Sequence, residues 1–119
     1  MSWRSRILAK RTAKHWGLVL GMLQDGESCE WDVLARDIAR PTAPEGYLLL
    51  SDRRLFFRSS FGVMEIPYQE ITSADVGPGA SGTSLLFVET AKGGEVFQTG
   101  RYSCELALDL IRGQGGRSR

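Results

Sequence analysis

Residues 46–57 read Gly-Tyr-Leu-Leu-Leu-Ser-Asp-Arg-Arg-Leu-Phe-Phe, and this stretch decides the fold. Tyr47, Leu48, Leu49 and Leu50 make an apolar run of strand length, bounded by Gly46 and by the turn residues Ser51, Asp52 and Arg53. Arg54, Leu55, Phe56, Phe57 and Arg58 form the returning strand. Two short apolar runs joined by a polar turn describe a β-hairpin, its first strand buried.

Strand-like patterning continues on both sides. Upstream, Cys29, Trp31, Val33 and Ala35 alternate with Glu30, Asp32, Leu34 and Arg36, which predicts a strand with one wet face. Residues 40–46 form a loop marked by Pro41 and Pro44. Downstream, residues 59–62 turn the chain, and residues 63–68 place Met64, Ile66 and Tyr68 on one side. Pro67 lacks a backbone donor, so it belongs near an edge or a strand end. Residues 69–76 are a further extended segment, and residues 77–82 a glycine-rich loop. Residues 85–90 and 95–99 form a second hairpin around Ala91, Lys92, Gly93 and Gly94. About seven short strands suggest a small barrel or sandwich.

Helical patterning appears only at the ends. In residues 103–112 with Tyr102 just ahead of them, Tyr102, Cys104, Leu106, Ala107, Leu108, Leu110 and Ile111 leave only Glu105, Asp109 and Arg112 for water. So wide an apolar face must be sunk into something, and one open end of the barrel offers the place. At the other terminus, residues 4–24 fit a helix of about 100° per residue. Leu8, Ala9, Ala13, Trp16, Val19, Leu20 and Leu23 then share one side, and Arg4, Arg6, Lys10, Arg11 and Lys14 the other. Trp3 falls among the basic residues, and Gly26 is a suitable stop. The expected organisation is a basic amphipathic N-terminal helix over 1–25, a β-rich domain over 26–112 and a disordered glycine-rich tail over 113–119.

Composition supports one domain and narrows the chemistry. The chain has 119 residues, 42% hydrophobic and 24% charged, the size and balance of one ordinary globular domain. Its longest uncharged apolar stretch, residues 16–23, is far short of the roughly 20 residues a spanning helix needs. The net charge of +1 is uneven. Residues 1–24 carry five basic residues and no acid, whereas residues 25–112 hold all fourteen acids against eight basic residues. A basic arm is thus attached to an acidic body. The arm resembles a targeting segment, but Gln24, Asp25, Gly26 and Glu27 offer no small-residue cleavage site, so it reads as part of a mature cytosolic chain.

Catalysis finds few candidates. The single histidine, His15, has no carboxylate near it in sequence and reads as a surface or docking residue. Cys29 and Cys104 fall on inward faces and read as packed thiols, since a reactive thiolate needs an accessible, electropositive niche. Glu30 and Asp32 read as a solvated strand face. No zinc-ligand spacing occurs, and the 77–82 loop lacks the Lys-Ser/Thr of a phosphate cradle. The expectation is a protein that is not an enzyme, with no cofactor, no metal and no small-molecule substrate. Nucleic acid is disfavoured too, because the body has neither a basic stripe nor an exposed aromatic platform.

The stretch 46–57 resembles the signature of the GRAM and bacterial PH-like domains, roughly Gly-x-Leu-x-Leu-Thr-[Asn/Asp]-x-Arg-Leu, with Ser51 where threonine is usual. Residues 65–74, Glu-Ile-Pro-Tyr-Gln-Glu-Ile-Thr-Ser-Ala, are similar to that family's Ile-Pro-x-x-x-Ile-x-Ser-Val segment, with Ala74 in place of valine. The resemblance spans residues 26–112. It implies a mainly β, PH-like fold in which two roughly orthogonal antiparallel sheets of seven strands are capped by a C-terminal helix. It also implies a binding module, since such domains take phosphoinositides, other lipids, peptides or proteins. A headgroup site implied in this way would use Arg36, Arg40, Arg53 and Arg58, with Arg54 beside them. Asp32, Asp37, Glu45 and Asp52 are interleaved and oppose it, and Arg54 reads equally as a support of the hairpin.

Two surfaces therefore compete for the functional role. The arm offers Trp3, Arg4, Lys10, Arg11, Lys14, Trp16, Leu20 and Leu23 to an anionic membrane or to protein, including its own barrel or a second copy. The expected function is a non-catalytic binding or adaptor module working through protein–protein contacts or at an anionic membrane surface. It would be cytoplasmic and peripheral to the inner face of the membrane, with headgroup binding by the barrel arginines as the alternative.

Overall fold

The computed structural model describes residues 15–115. Seven antiparallel strands are followed by one α-helix: β1 Cys29–Asp37, β2 Glu45–Ser51, β3 Arg54–Ser59, β4 Gly62–Pro67, β5 Ile71–Pro78, β6 Ser84–Thr90, β7 Gly93–Thr99 and α1 Arg101–Gly115. Short 3-10 turns occupy Gly17–Met22, Tyr68–Glu70 and Ala80–Gly82. The strands run in the order β4-β3-β2-β1-β7-β6-β5. The two halves of this sheet meet only where the end of β1 pairs with β7, at Arg36↔Gln98 and Asp37↔Phe97. The sheet turns a corner there and folds over itself, leaving a seam between the edge strands β4 and β5.

The 46–57 hairpin forms as expected, with Leu50 opposite Leu55 and Leu48 opposite Phe57. Successive side chains of a strand point to opposite faces. Leu48, Leu50, Leu55 and Phe57 enter the space between the two halves and meet Ile71, Leu86, Val88 and Phe97. Cys104, Ala107 and Ile111 of α1 close that core from the end. Leu49 and Phe56 point the other way, onto the outer face of β2 and β3. They too are fully buried, because Trp16 and Val19 of the N-terminal segment lie on them. The Trp16 ring meets Phe56 edge-on at 6.1 Å between centroids. Burying about 200 Å² of indole at about 25 cal/mol per Å² contributes about 5 kcal/mol. That outweighs the roughly 1–3 kcal/mol lost at its Nε1, which has no hydrogen-bond partner among the described residues.

This cover corrects three sequence expectations. The wet face of β1 is not wet at Asp32, which is 1% exposed because the N-terminal segment closes over it. His15 does have a carboxylate partner: its Nδ1 lies 2.8 Å from Asp32 Oδ1, and its ring stacks on Tyr47 at 4.4 Å. Cys29 packs with the outer cluster and not with the inner core, because the register shifts between Cys29 and Trp31. A bulge adds one residue and so reverses the side-chain direction that simple alternation assigns. The helix expected over 4–24 falls largely outside the described residues. Within them, Gly17–Met22 is a 3-10 turn, and Gly17 has a φ of +42° that no α-helix accommodates.

One polar node pins the hairpin turn. The Ser51 hydroxyl accepts from the backbone N–H groups of Arg53 (3.0 Å) and Arg54 (2.8 Å) and donates to Glu27 Oε2 at 2.5 Å. The Tyr68 hydroxyl donates to the Ser51 carbonyl at 2.7 Å. The buried Arg54 guanidinium holds Glu27 through both carboxylate oxygens, at 3.0 and 2.6 Å. It also reaches Glu65 at 2.7 Å and the Met22 carbonyl at 2.8 Å. Burial by itself would raise the Glu27 pKa. The hydrogen bonds from Arg54, the Gln24 backbone and Ser51, with the Arg54 charge, outweigh burial and bring it to about 2.

Two stability predictions follow from this packing. Ala107→Asp places an unpaired carboxylate at a fully buried site of α1 and is expected to cost several kcal/mol. Leu106→Asp, at a half-buried position of the same helix, is expected to cost less. Urea melts of the two variants check the order. Glu27→Gln strips Arg54 of its buried counter-charge and is expected to cost about 3 kcal/mol at pH 7. A depressed carboxylate stabilises the fold above its unfolded pKa near 4.5, and that stability is lost as pH falls toward about 2. The variant should therefore show a shallower acid limb than the parent in a stability–pH profile.

Candidate functional site

The five barrel arginines do not converge. Arg53 sits at the β2–β3 turn, where its Nη1 donates to Gln24 at 3.3 Å. Arg54 is the buried strut just described. Arg58, on the outer face, clamps the N-terminal segment by donating to the His15 carbonyl at 2.7 Å. Arg36 donates to the Ala43 carbonyl at 2.7 Å and lies 3.6 Å from Glu45. Arg40 grips Glu95 through Nε and Nη2, at 2.9 and 3.2 Å, and lies 3.5 Å from Asp37. Each has its own local partner; Arg40 lines two adjoining clefts, and Arg53 and Arg54 border a smaller one of about 180 Å³.

The first of the Arg40 clefts, of about 330 Å³, opens between the β1–β2 loop and the β3–β4 turn. Pro41 and Pro44 form one wall, and Val63, Met64 and the exposed Phe61 the other. Its floor is charged but self-contained. Asp37 is buried, with Oδ1 accepting from the Ala39 and Val96 N–H groups at 3.1 and 3.3 Å. Burial, followed by the neighbouring Asp37, raises the Glu95 pKa to about 7 against the lowering pull of Arg40. Two carboxyl groups thus share one guanidinium, which leaves no surplus positive charge to hold a phosphate.

A second cleft, of about 260 Å³, adjoins the first at Arg40 and Met64. It continues past Glu65 and Ile66 of β4 toward Glu70 and Lys92. Among the described residues, the lining of these clefts brings no histidine or cysteine together with a carboxylate. Cys104 is buried, and burial above all pushes its thiol up to about 11, so it stays protonated at neutral pH.

The N-terminal segment presents a different surface. Trp16 is buried beneath it and Leu23 is half-buried. Leu20 is 41% exposed, and its neighbours Leu18 and Met22 are 80% and 40% exposed. A 3-10 turn repeats every three residues, so Val19 stacks over Trp16 and Leu20 turns off that face; Met22, on the Val19 side by this period, lies at the end of the turn and stays 40% exposed. An α-helical period groups Leu20 with Trp16 and misses Leu18 and Met22. Arg58 lies beneath Gly17, and Arg53 beside Gly26. Trp3, Arg4, Lys10, Arg11 and Lys14, also expected here, lie outside the described residues.

Among known proteins, no family model matches the chain, and no curated protein does. The likeness to GRAM domains therefore rests on residues 46–57 and 65–74 alone. Solved structures do match in shape. The C-terminal domain of an unknown protein from Leishmania infantum superposes with a TM-score of 0.58 at 19% identity, covering 76% of this chain and 86% of that one. A pleckstrin homology domain from Shewanella amazonensis superposes with a TM-score of 0.56 at 17% identity, covering 91% and 87%. At such identities the likeness is one of fold. Seven antiparallel strands, folded at the β1–β7 corner and capped by α1, give this chain a pleckstrin-homology-like fold.

Proposed function

We propose that the chain is a non-catalytic binding module that docks on an anionic membrane surface through its N-terminal segment. The observation that carries this reading is the strip Leu18, Leu20 and Met22. These side chains stand in water on a segment whose other side is locked into the sheet by Trp16 and Val19. Exposed apolar patches on soluble proteins mark interaction sites. The basic residues Arg4, Arg6, Lys10, Arg11 and Lys14 precede the strip in sequence. Apolar side chains beside cations suit the boundary between acyl chains and anionic headgroups. Each basic residue near such a surface contributes about 1 kcal/mol.

Among the described residues no helix is long and apolar enough to cross a membrane, so the attachment would be peripheral. A cytoplasmic position at the inner face of the membrane goes with this reading. Headgroup capture by the barrel arginines is not supported, because Arg40 in the cleft is already engaged by Glu95 and Asp37.

Flotation with vesicles of phosphatidylglycerol in phosphatidylcholine tests the proposal. The chain is expected to float at low salt and to be released as salt screens the basic residues. The double variant Leu18→Ser, Met22→Ser is expected to lose about 2 kcal/mol of partitioning, or about thirtyfold, with an unchanged melting curve. A parent chain that stays at the bottom of the gradient, and is a stable oligomer by light scattering, would contradict the membrane reading in favour of protein contacts.

A further inference from the structure

We propose that the basic arm, residues 1–14, packs on the outer face of β1, β7 and β6 in the free chain and is held there by that face's carboxylates. Phe97, Leu86 and Val88 point into the core. Their neighbours Val96, Leu85 and Phe87 therefore point outward, since successive side chains of a strand alternate. Register lines these up across the sheet, with Val96 opposite Phe87 and Gln98 opposite Leu85. Ile38 continues the first row, its N–H bonded to the Val96 carbonyl at 2.9 Å. Ile38 is 40% exposed, Phe87 39%, and Leu34, on the same side of β1, 51%. On β2 and β3 the outer face is sealed by Trp16 and Val19. Among the described residues nothing comparable seals it at Leu34, Ile38 and Phe87.

The path of the chain, its reach and its charge select this occupant. The Met22 carbonyl is held by Arg54 of β3, Trp16 lies on Phe56 and Leu49, and His15 reaches Asp32 of β1. Traced toward the N-terminus, the segment thus crosses the sheet from β3 to β1. Leu34 and Ile38 lie ahead of it, on the same side of β1 as Asp32. Strand rise and spacing put Phe87 about 22 Å from Asp32. The 14 residues that precede His15 span about 21 Å as a helix and about 46 Å extended. They hold Trp3, Ile7 and Leu8 for the apolar row, and five basic side chains with no acid. Asp75 of β5 stands opposite Phe87, and Glu89 lies further along β6 on the same face. Glu45, Glu65 and Glu95 are paired with Arg36, Arg54 and Arg40, but among the described residues no such ion pair takes Asp75 or Glu89. A second copy docked through a two-fold axis would instead set these acids against themselves. An anionic surface that binds the arm must draw it off this face. That consequence rests on the membrane reading, whereas the contact itself does not.

The test uses the full chain carrying ring-fluorinated tryptophan, without lipid, and reads the fluorine spectrum. Trp3→Phe assigns the Trp3 line. That line is expected to stand apart from its position in urea, and to do so at every protein concentration. Phe87→Ser is expected to return it at least halfway to the urea position, with an unchanged melting curve, because Phe87 is already partly exposed. The double variant Asp75→Asn, Glu89→Gln leaves the apolar row intact and changes only exposed side chains. It is expected to move the line in the same direction, as is high salt. A Trp3 line at the urea position in the parent chain would overturn the proposal. So would a displaced line indifferent to both variants. A displacement that grows with protein concentration would overturn it too, by giving the face to a second copy. No vesicle enters these measurements, so this contact and the membrane reading fail separately.

Discussion

Two-sided burial of the β2–β3 hairpin is the constraint on which this structure depends. Leucine and phenylalanine occupy both parities of the two strands, so neither face can be left to water. The folded-over sheet and α1 cover one face, and Trp16 and Val19 cover the other. The outer cover is small, and it is held by polar contacts at both ends. His15 stacks on Tyr47 and meets Asp32 at one end, and Arg54 takes the Met22 carbonyl at the other. The N-terminal segment is therefore part of the core. What it can offer a partner is its outward side, with Leu18, Leu20 and Met22.

The sequence carried the inner architecture well, because strand alternation and a wide-faced helix are local signals. The 46–57 hairpin, the 84–99 hairpin and the capping helix could all be read without tertiary knowledge. What could not be read depends on long-range partners. Nothing near Asp32 announces His15, which is 17 residues away and arrives only when the segment folds back. Nothing near Arg54 announces Glu27, which is 27 residues upstream. The bulge after Cys29 leaves no mark in an alternating pattern, yet it reverses that residue's face. For residues 16–23, the apolar content was plain, but the period was not. Gly17 with its positive φ starts a 3-10 turn, and the choice of period decides whether Leu20 faces protein or water.

The arginines illustrate the same limit for function. Five of them in one hairpin region suggest an anion pocket when counted along the chain. In space, each is held by its own carboxylate, carbonyl or amide oxygen, and the cleft between the β1–β2 loop and the β3–β4 turn is nearly neutral at its floor. Among the described residues, the groups left exposed include the apolar side chains Leu18, Leu20 and Met22 of the N-terminal segment, Phe61 and Tyr102, and the edge strands β4 and β5.

The burial of Trp16 is the claim most open to direct measurement. In a variant with Trp3 and Trp31 replaced by phenylalanine, Trp16 is the single indole. The account predicts a blue-shifted emission without any partner present, resistant to iodide quenching and unchanged by anionic vesicles, which would touch only the outer side of the segment. A red-shifted, freely quenched emission that moves to the blue only when vesicles are added would show that the segment leaves the outer face bare, and would contradict the account.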